Sequence, residues 1–316
     1  MNRNSILFWV GATLFLVAAL LMTQVIGNEY PFFACYVILQ FIILAVAWSI
    51  LGGYAGYVNF GTSAFFGVGV YTAVFLFKAF GAPLPLLIIA AAAVTGTLGF
   101  AVGALTLRLR GIFFSIATVA IAVICETVVM NSSFVGGSRG MAVLAPTTTW
   151  FASYNRLLFV TMTALALLAV ATARYIEISR IGRGLQAIRD SEPAAESVGV
   201  PTLRLKLVAA SISGALMGVA GAPFALYMSF IEPTSAFSLN YAVSALAMPI
   251  IGGTASWLGP VIGALLLATT QQIVTVTISS ELNVLVIGLL LVGFVVIAPQ
   301  GILGLLRRRA RLRGAR

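Results

Sequence analysis

The stretch GRGLQAIRDSEPAAESVG, residues 182–199, is a compact charged segment in a chain that is otherwise strongly apolar. Only 8% of the 316 residues are charged and 61% are apolar, with a mean hydropathy of +1.09. A soluble domain has roughly 25% charged residues, whereas Leu, Ile, Val and Phe cover a surface that faces lipid. The sequence on both sides of 182–199 therefore predicts an integral membrane protein.

Apolar runs of membrane-spanning length recur along the whole chain. A transmembrane helix needs about 20 such residues, and the runs lie near residues 5–26, 33–51, 62–80, 84–107, 112–130, 157–174, 207–230 and 282–298. Residues 241–276 allow either two short helices or one long kinked helix, because GGTASWLGP at 252–260 has turn chemistry. We predict an all-α, polytopic membrane helix bundle with about ten spans, some of them short or broken, in a single domain over residues 1–316.

The positions of the basic residues predict how the chain is oriented, because loops rich in Lys and Arg stay cytoplasmic. With the N-terminus inside and ten crossings, only Lys78, Arg139 and Arg156 of the 18 basic residues lie outside. Nine crossings would place the basic tail 307–316 outside, so ten are favoured and both termini are predicted to be cytoplasmic. Membrane topology then explains the net charge of +10. The lipid bilayer is an expected partner and nucleic acid is not.

The charged segment contains the start and stop signals of a short helix over residues 190–200. Asp190 and Ser191 are helix-capping residue types, Pro193 suits a first helical turn, and Gly199 with Pro201 ends a helix. A helix this short is not stable alone in water. It must pack either against the cytoplasmic ends of its own bundle or in the groove of a partner protein.

In the second case, the helix offers a partner a face of small side chains. Ala194, Ala195 and Gly199 form that face, and Arg183, Arg189 and Glu196 are charges at its rim. The sequence around the helix leaves both alternatives open.

A glycine-rich break, GGYAGYVNFG at 52–61, separates two apolar runs. Irregular backbone at membrane depth is tolerated only beside protein or a water-filled cavity, so Tyr57, Asn59 and Ser63 are predicted to line a pathway. The alternative for the glycines is close helix packing. The small-residue pairs with the required spacing are Gly52 with Gly56, Gly214 with Gly218, and Gly259 with Gly263.

Glu126 is the one acidic residue well inside a predicted span. A carboxylate is costly there and should face the bundle interior or water. We interpret it either as a pathway or gate residue, or as a structural acid that pairs with hydroxyls or lies near the outer interface.

Five stretches resemble bacterial branched-chain amino acid ABC permeases, specifically their M-type membrane subunit. They are SRIGRGLQAIRDSEPAAESVGVPTLRLKLVAASISGALMGVAGA at 179–222, GGYAGYVNFGTSAFFGVGVYTA at 52–73, LRLRGIFFSIATVAIAVICE at 107–126, GGTASWLGPVIGA at 252–264 and APQGILGLL at 298–306. The motifs follow the order of that family and extend over nearly the whole chain.

The resemblance implies the transmembrane permease subunit of an ABC importer for branched-chain or related amino acids in the bacterial inner membrane. The implied partners are a sister permease subunit, two cytoplasmic ABC ATPase subunits and a periplasmic substrate-binding protein. Residues 190–199 correspond to the coupling helix, within a cytoplasmic coupling loop at about 175–206. The predicted ATPase-coupling residues are Arg183, Arg189, Asp190, Ala194, Ala195, Glu196 and Gly199.

The importer pattern at this helix is Glu-Ala-Ala, three residues, then Gly. This sequence has Pro193, Ala194, Ala195 and Gly199. Because Pro193 replaces the glutamate, no role of that acid is carried over.

No nucleotide chemistry is expected from this chain. Its two lysines, Lys78 and Lys206, follow Phe77 and Leu205 and not a glycine-rich phosphate loop. We therefore expect no enzyme activity, no bound cofactor and no metal, with ATP used by the partner subunits. A sodium-coupled secondary transporter and an ABC permease for urea or amides stay open as alternatives. Proton coupling is disfavoured, because the chain has no histidine and a single deep acid.

Overall fold

The computed structural model describes residues 3–109, 111–144, 146, 151, 153–277, 282–297 and 301–305. The longer helices are α1 Arg3–Val25, α2 Tyr30–Leu51, α3 Thr62–Phe80, α4 Leu84–Thr106, α5 Ile112–Met130, α6 Tyr154–Ile178, α7 Arg180–Asp190, α9 Thr202–Gly221, α12 Leu239–Gly252, α13 Leu258–Thr277 and α14 Leu282–Ile297. The shorter ones are α8 Glu192–Ser197, α10 Phe224–Met228 and α11 Pro233–Ala236. Two short strands, β1 Met141–Ala142 and β2 Phe230–Ile231, pair antiparallel.

Within these residues, nine helical segments are long and apolar enough to cross a membrane. A tenth apolar helix, α14, is shorter at 16 residues. Region 241–276 contains two helices, α12 and α13, separated by the turn at 253–257. The predicted all-α membrane bundle with short and broken helices is confirmed. Arg110 and the basic tail 307–316 lie outside the described residues.

Helices α2 and α9 form the centre of the bundle. Helix α2 packs against α6, α9, α12 and α13, and α9 packs along α3 and α4. Helices α1 and α5 are mostly exposed at the periphery. The spanning part of α1, Ser5–Val25, is as apolar as α2, so apolarity alone does not separate a central helix from one that faces lipid.

Glycine residues allow close contact between helices in two of the three predicted pairs. A β-carbon at Gly218 of α9 would overlap Thr95 of α4, and one at Gly263 of α13 would overlap the backbone of Met248 in α12. The third pair behaves differently, because Gly52 lies against the ring of Trp48 in its own helix and Gly56 contacts Arg189. Close packing between helices is confirmed for the pairs 214/218 and 259/263. In the pair 52/56, only Gly56 lies against another helix, at Arg189 of α7.

The Gly263→Val substitution should destabilise the α12–α13 contact. The atom that a β-carbon would overlap is the Met248 carbonyl oxygen, and backbone cannot move aside cheaply. Overpacking typically costs about 1–3 kcal/mol. We expect a lower midpoint of thermal unfolding for the detergent-purified protein. Gly288→Val in α14 is the matched control, because a β-carbon there meets open space, and equal midpoints for the two variants would contradict the packing argument.

The loops of the bundle separate into two ends. We call the end formed by residues 52–61, 107–109, 179–201 and 253–257 the charged end. The Arg189 guanidinium donates to the Gly53 carbonyl there at 2.9 Å, which joins the charged segment to the first glycine-rich break.

The opposite end carries the three basic residues predicted to lie outside. Lys78 donates to the Phe134 carbonyl at 2.6 Å, Arg139 lies in the loop that follows α5, and Arg156 pairs with Glu29 at 2.9 Å. Among the described residues, Lys78, Arg139 and Arg156 therefore lie at the end opposite the arginines of the charged segment, as the sequence count predicts.

Candidate functional site: the charged segment and its seat on the bundle

Helix α7 is the longer helix of the charged segment and is amphipathic. Its N-cap Ser179 accepts a hydrogen bond from the Gly182 amide at 3.3 Å. Gly182, Leu185 and Ile188 recur at helical spacing and are buried against the bundle. Arg183 and Asp190 are exposed, and a guanidinium nitrogen of Arg183 donates to the Ile178 carbonyl at 3.3 Å.

Helix α8 is the short helix predicted within residues 190–200. Ser191 is its N-cap and accepts from the Ala194 amide at 3.4 Å. Pro193 lies in the first turn, and Gly199 ends the helix region with φ +84°, a conformation that favours glycine. The predicted short helix is confirmed, with Asp190 as the last residue of α7 and not the cap.

The two faces of α8 have different environments. Ala195 is 3% exposed and packs on the bundle, whereas Ala194, Glu196 and Gly199 are exposed. Val198 is 79% exposed, an unusual position for a valine at the end of a charged helix. One face of α8 therefore packs on its own bundle, and the other face is exposed; packing in the groove of a partner stays a prediction.

A buried cluster of polar groups holds the start of α8 in place. The Lys206 ammonium donates to the Glu192 carboxylate at 2.5 Å, to the Tyr57 hydroxyl at 3.0 Å and to the Leu107 carbonyl at 3.2 Å. The Tyr57 hydroxyl donates to the other Glu192 oxygen at 2.6 Å. An ammonium has three N–H donors, so every donor of Lys206 meets an acceptor.

Tyr57 keeps its proton in this cluster. Burial, reinforced by the hydrogen bond to the Glu192 carboxylate, raises the pKa of the Tyr57 phenol above its ordinary value. The group is therefore a hydrogen-bond donor across the physiological pH range. The sequence interpretation placed Tyr57 on a pathway and counted Lys206 only for orientation, so it missed their contact.

The end of α6, just before the charged segment, contacts the second glycine-rich break. A Glu177 oxygen, at the end of α6, accepts from the Trp257 amide at 2.7 Å and from the Tyr54 hydroxyl at 3.4 Å. Both breaks, 52–61 and 252–260, are therefore bonded to acidic residues next to or within the charged segment. The sequence signal that could have identified Glu177 is its position as a single acidic residue at the end of a span.

An open hollow lies beside α8 at the charged end. It has a volume of about 490 Å³ and is lined by Gly56, Tyr57, Ser115, Arg189 and Glu192, among others. We call the exposed face of α8, with Ala194, Val198 and Gly199, the docking surface.

The predicted pathway residues lie in different environments. Asn59 is buried and its side chain accepts from the Gly61 amide at 2.7 Å, which stabilises the break itself. Ser63 is fully buried, and its hydroxyl has no partner among the described residues. Glu126 is half-buried on α5 and likewise makes no hydrogen bond or ion pair within the described part of the chain. Tyr57 joins the cluster at the charged end.

The all-helical membrane bundle has the fold of a solved ABC transporter. A solved metal-chelate type ABC transporter in an inward-facing conformation has this fold, with a TM-score of 0.50 and 16% identity over 92% of this chain and 98% of that one. The likeness shows the fold alone.

Residues 30–295 match the family model described as "Branched-chain amino acid transport system / permease component". The chain is 27% identical to the high-affinity branched-chain amino acid transport system permease protein LivM of Salmonella typhimurium and 26% identical to LivM of Escherichia coli. Each alignment covers 86% of this chain and 70% of the relative. The chain belongs to the branched-chain amino acid transport permease family, whose members work with ATPase and substrate-binding partners. The resemblance found in the sequence is confirmed.

Proposed function

We propose that this chain is the transmembrane subunit of an ATP-driven importer for branched-chain or related amino acids in the bacterial inner membrane. It pairs with a sister permease subunit, two cytoplasmic ABC ATPase subunits and a periplasmic substrate-binding protein. It binds no cofactor, and ATP is used by the ATPase subunits. The observation that carries the proposal is α8: one face is fixed to the bundle and the other, with Ala194 and Val198, is exposed.

The charged end faces the cytoplasm in this proposal, with both termini on the same side. The described arginines of the charged segment lie at this end, and Lys78 and Arg156 lie at the other. Basic residues are retained on the cytoplasmic side. The docking surface is then accessible to a cytoplasmic ATPase.

In this mechanism, ATP binding draws the two ATPase subunits together and displaces the docked α8. The bundle then switches between openings on the two sides of the membrane. Of the four predicted pathway residues, Ser63 and Glu126 are proposed to line the pathway, because Tyr57 is bonded at the charged end and Asn59 within the break 52–61. The buried hydroxyl of Ser63 and the carboxylate of Glu126, which lack partners among the described residues, support a polar route for substrate.

Uptake by purified, reconstituted components tests the proposal. Proteoliposomes with both permease subunits, the ATPases and the binding protein should take up labelled leucine when ATP is supplied to the ATPase side, and a sodium gradient should have no effect. An excess of unlabelled isoleucine or valine should compete, whereas urea should not. Sodium-driven uptake by this chain alone would instead establish the secondary-transporter alternative, and competition by urea or amides would reassign the substrate class.

A further inference from the structure

The contacts between the charged segment and loop 52–61 suggest a route for mechanical coupling. Loop 52–61 joins α2, at the centre of the bundle, to α3. A displacement of this loop therefore reaches helices that pack against much of the bundle. These contacts hold α8 to the bundle, whereas the free face of α8 is exposed.

The contacts are of the kind that transmits a displacement. Lys206 and Glu192 form a close ion pair whose side chains are 4% and 13% exposed. Charge-assisted hydrogen bonds are short and strong. Inside a protein they are stronger still, because the effective dielectric constant is low. Tyr57 closes the network with bonds to both partners, and its ring is held edge-on by Phe114 at 5.2 Å between centroids.

A second contact acts in parallel. Arg189, the penultimate residue of α7, donates to the Gly53 carbonyl, and its aliphatic stem lies against Gly56. Gly56 has φ +77° and no room for a β-carbon. Loop 52–61 is thus joined to the charged segment at two separate points.

We propose that the Glu192–Lys206–Tyr57 cluster, together with the Arg189–Gly53 bond, carries the displacement of α8 into loop 52–61 and so into α2 and α3. These are positioning residues: they do not contact ATP, and they determine whether movement of α8 moves the bundle. The inference rests on the proposed function and adds the connection between the ATPase contact and the bundle. Energetic coupling between distant sites travels through such networks of packed and hydrogen-bonded groups.

Tyr57→Phe is the sharpest test, because it removes one hydroxyl and leaves the ring in place. In the reconstituted complex, we expect unchanged co-purification with the ATPase and retained ATP hydrolysis. Uptake per ATP hydrolysed should fall about tenfold, within the usual range of coupling between sites. Glu192→Gln should lower the same ratio. Tyr30→Phe is the matched control, since Tyr30 is half exposed at the opposite end, and its ratio should equal that of the wild type.

Two results would overturn the inference. The first is a wild-type ratio in Tyr57→Phe and Glu192→Gln. The second is a parallel fall of hydrolysis and uptake with loss of ATPase from the complex, because that pattern describes a structural role only. Failure of the proposed function is distinguishable from both, since the wild-type complex would then show no ATP-dependent uptake.

Discussion

The Lys206→Met substitution should cause a large loss of stability. Lys206 is 3% exposed and is the cation that faces the Glu192 carboxylate, the Tyr57 hydroxyl and the Leu107 carbonyl. Removing one partner of a buried ion pair costs about 3–5 kcal/mol, a large share of the total of about 5–15 kcal/mol that holds a domain folded. We expect a markedly lower thermal midpoint and a lower yield of folded protein in detergent.

Two further variants make this prediction specific to the ion pair. Arg204→Met removes an exposed positive charge two residues earlier on the same helix and should leave the thermal midpoint nearly unchanged. The double variant Lys206→Met/Glu192→Gln removes both charges and should recover part of the loss, because replacing a whole buried pair is often close to neutral. A double variant as unstable as the sum of the two single ones would refute the ion-pair explanation.

The Val198→Asp substitution should sharply weaken ATPase binding. Val198 is the most exposed large apolar side chain of the charged segment, and it lies beside Ala194 and Gly199 on the free face of α8. Central apolar contacts of an interface contribute about 2 kcal/mol or more, which corresponds to about thirtyfold in Kd. We expect that loss in titrations of the purified permease complex with ATPase, with the thermal midpoint of the permease unchanged.

Leu144→Asp is the matched control for Val198→Asp. Leu144 has the same 79% exposure but lies at the opposite end, so its replacement should leave ATPase affinity unaltered. Ala195 is unsuitable for this test because it faces the bundle, and a larger residue there would displace α8 itself. Full ATPase affinity in Val198→Asp would show that the docking surface has its apolar centre elsewhere.

The short docking helix could be predicted in detail because its signals are local. The capping types at Asp190 and Ser191, the proline in the first turn and Gly199 act within one or two turns, and the structure has the helix between them. Of the two capping types, Ser191 is the cap and Asp190 is the last residue of α7. By contrast, the spacing of Gly52 and Gly56 does not reveal what lies opposite them: Gly52 meets the Trp48 ring and Gly56 meets Arg189 of α7.

The pathway predictions depended on the depth of each residue in the bundle, which the sequence does not contain. Tyr57 and Asn59 both belong to the same glycine-rich break, yet one bonds to the charged segment and the other stabilises the break. The hydrogen-bond partner of each side chain in the folded protein determines which role it has. Neither role could be inferred from polarity and glycine content alone.

The sequence by itself determined the membrane class, the apolar spans, the segregation of basic residues and the family pattern around Ala194, Ala195 and Gly199. Each depends on hydrophobicity, charge or turn chemistry over a short window. The tertiary structure decided which helices are central and that Lys206 lies against Tyr57, 149 residues away in sequence. Lipid and a protein core are equally apolar surroundings for a helix, so only the packed structure separates one from the other and brings the buried charges together.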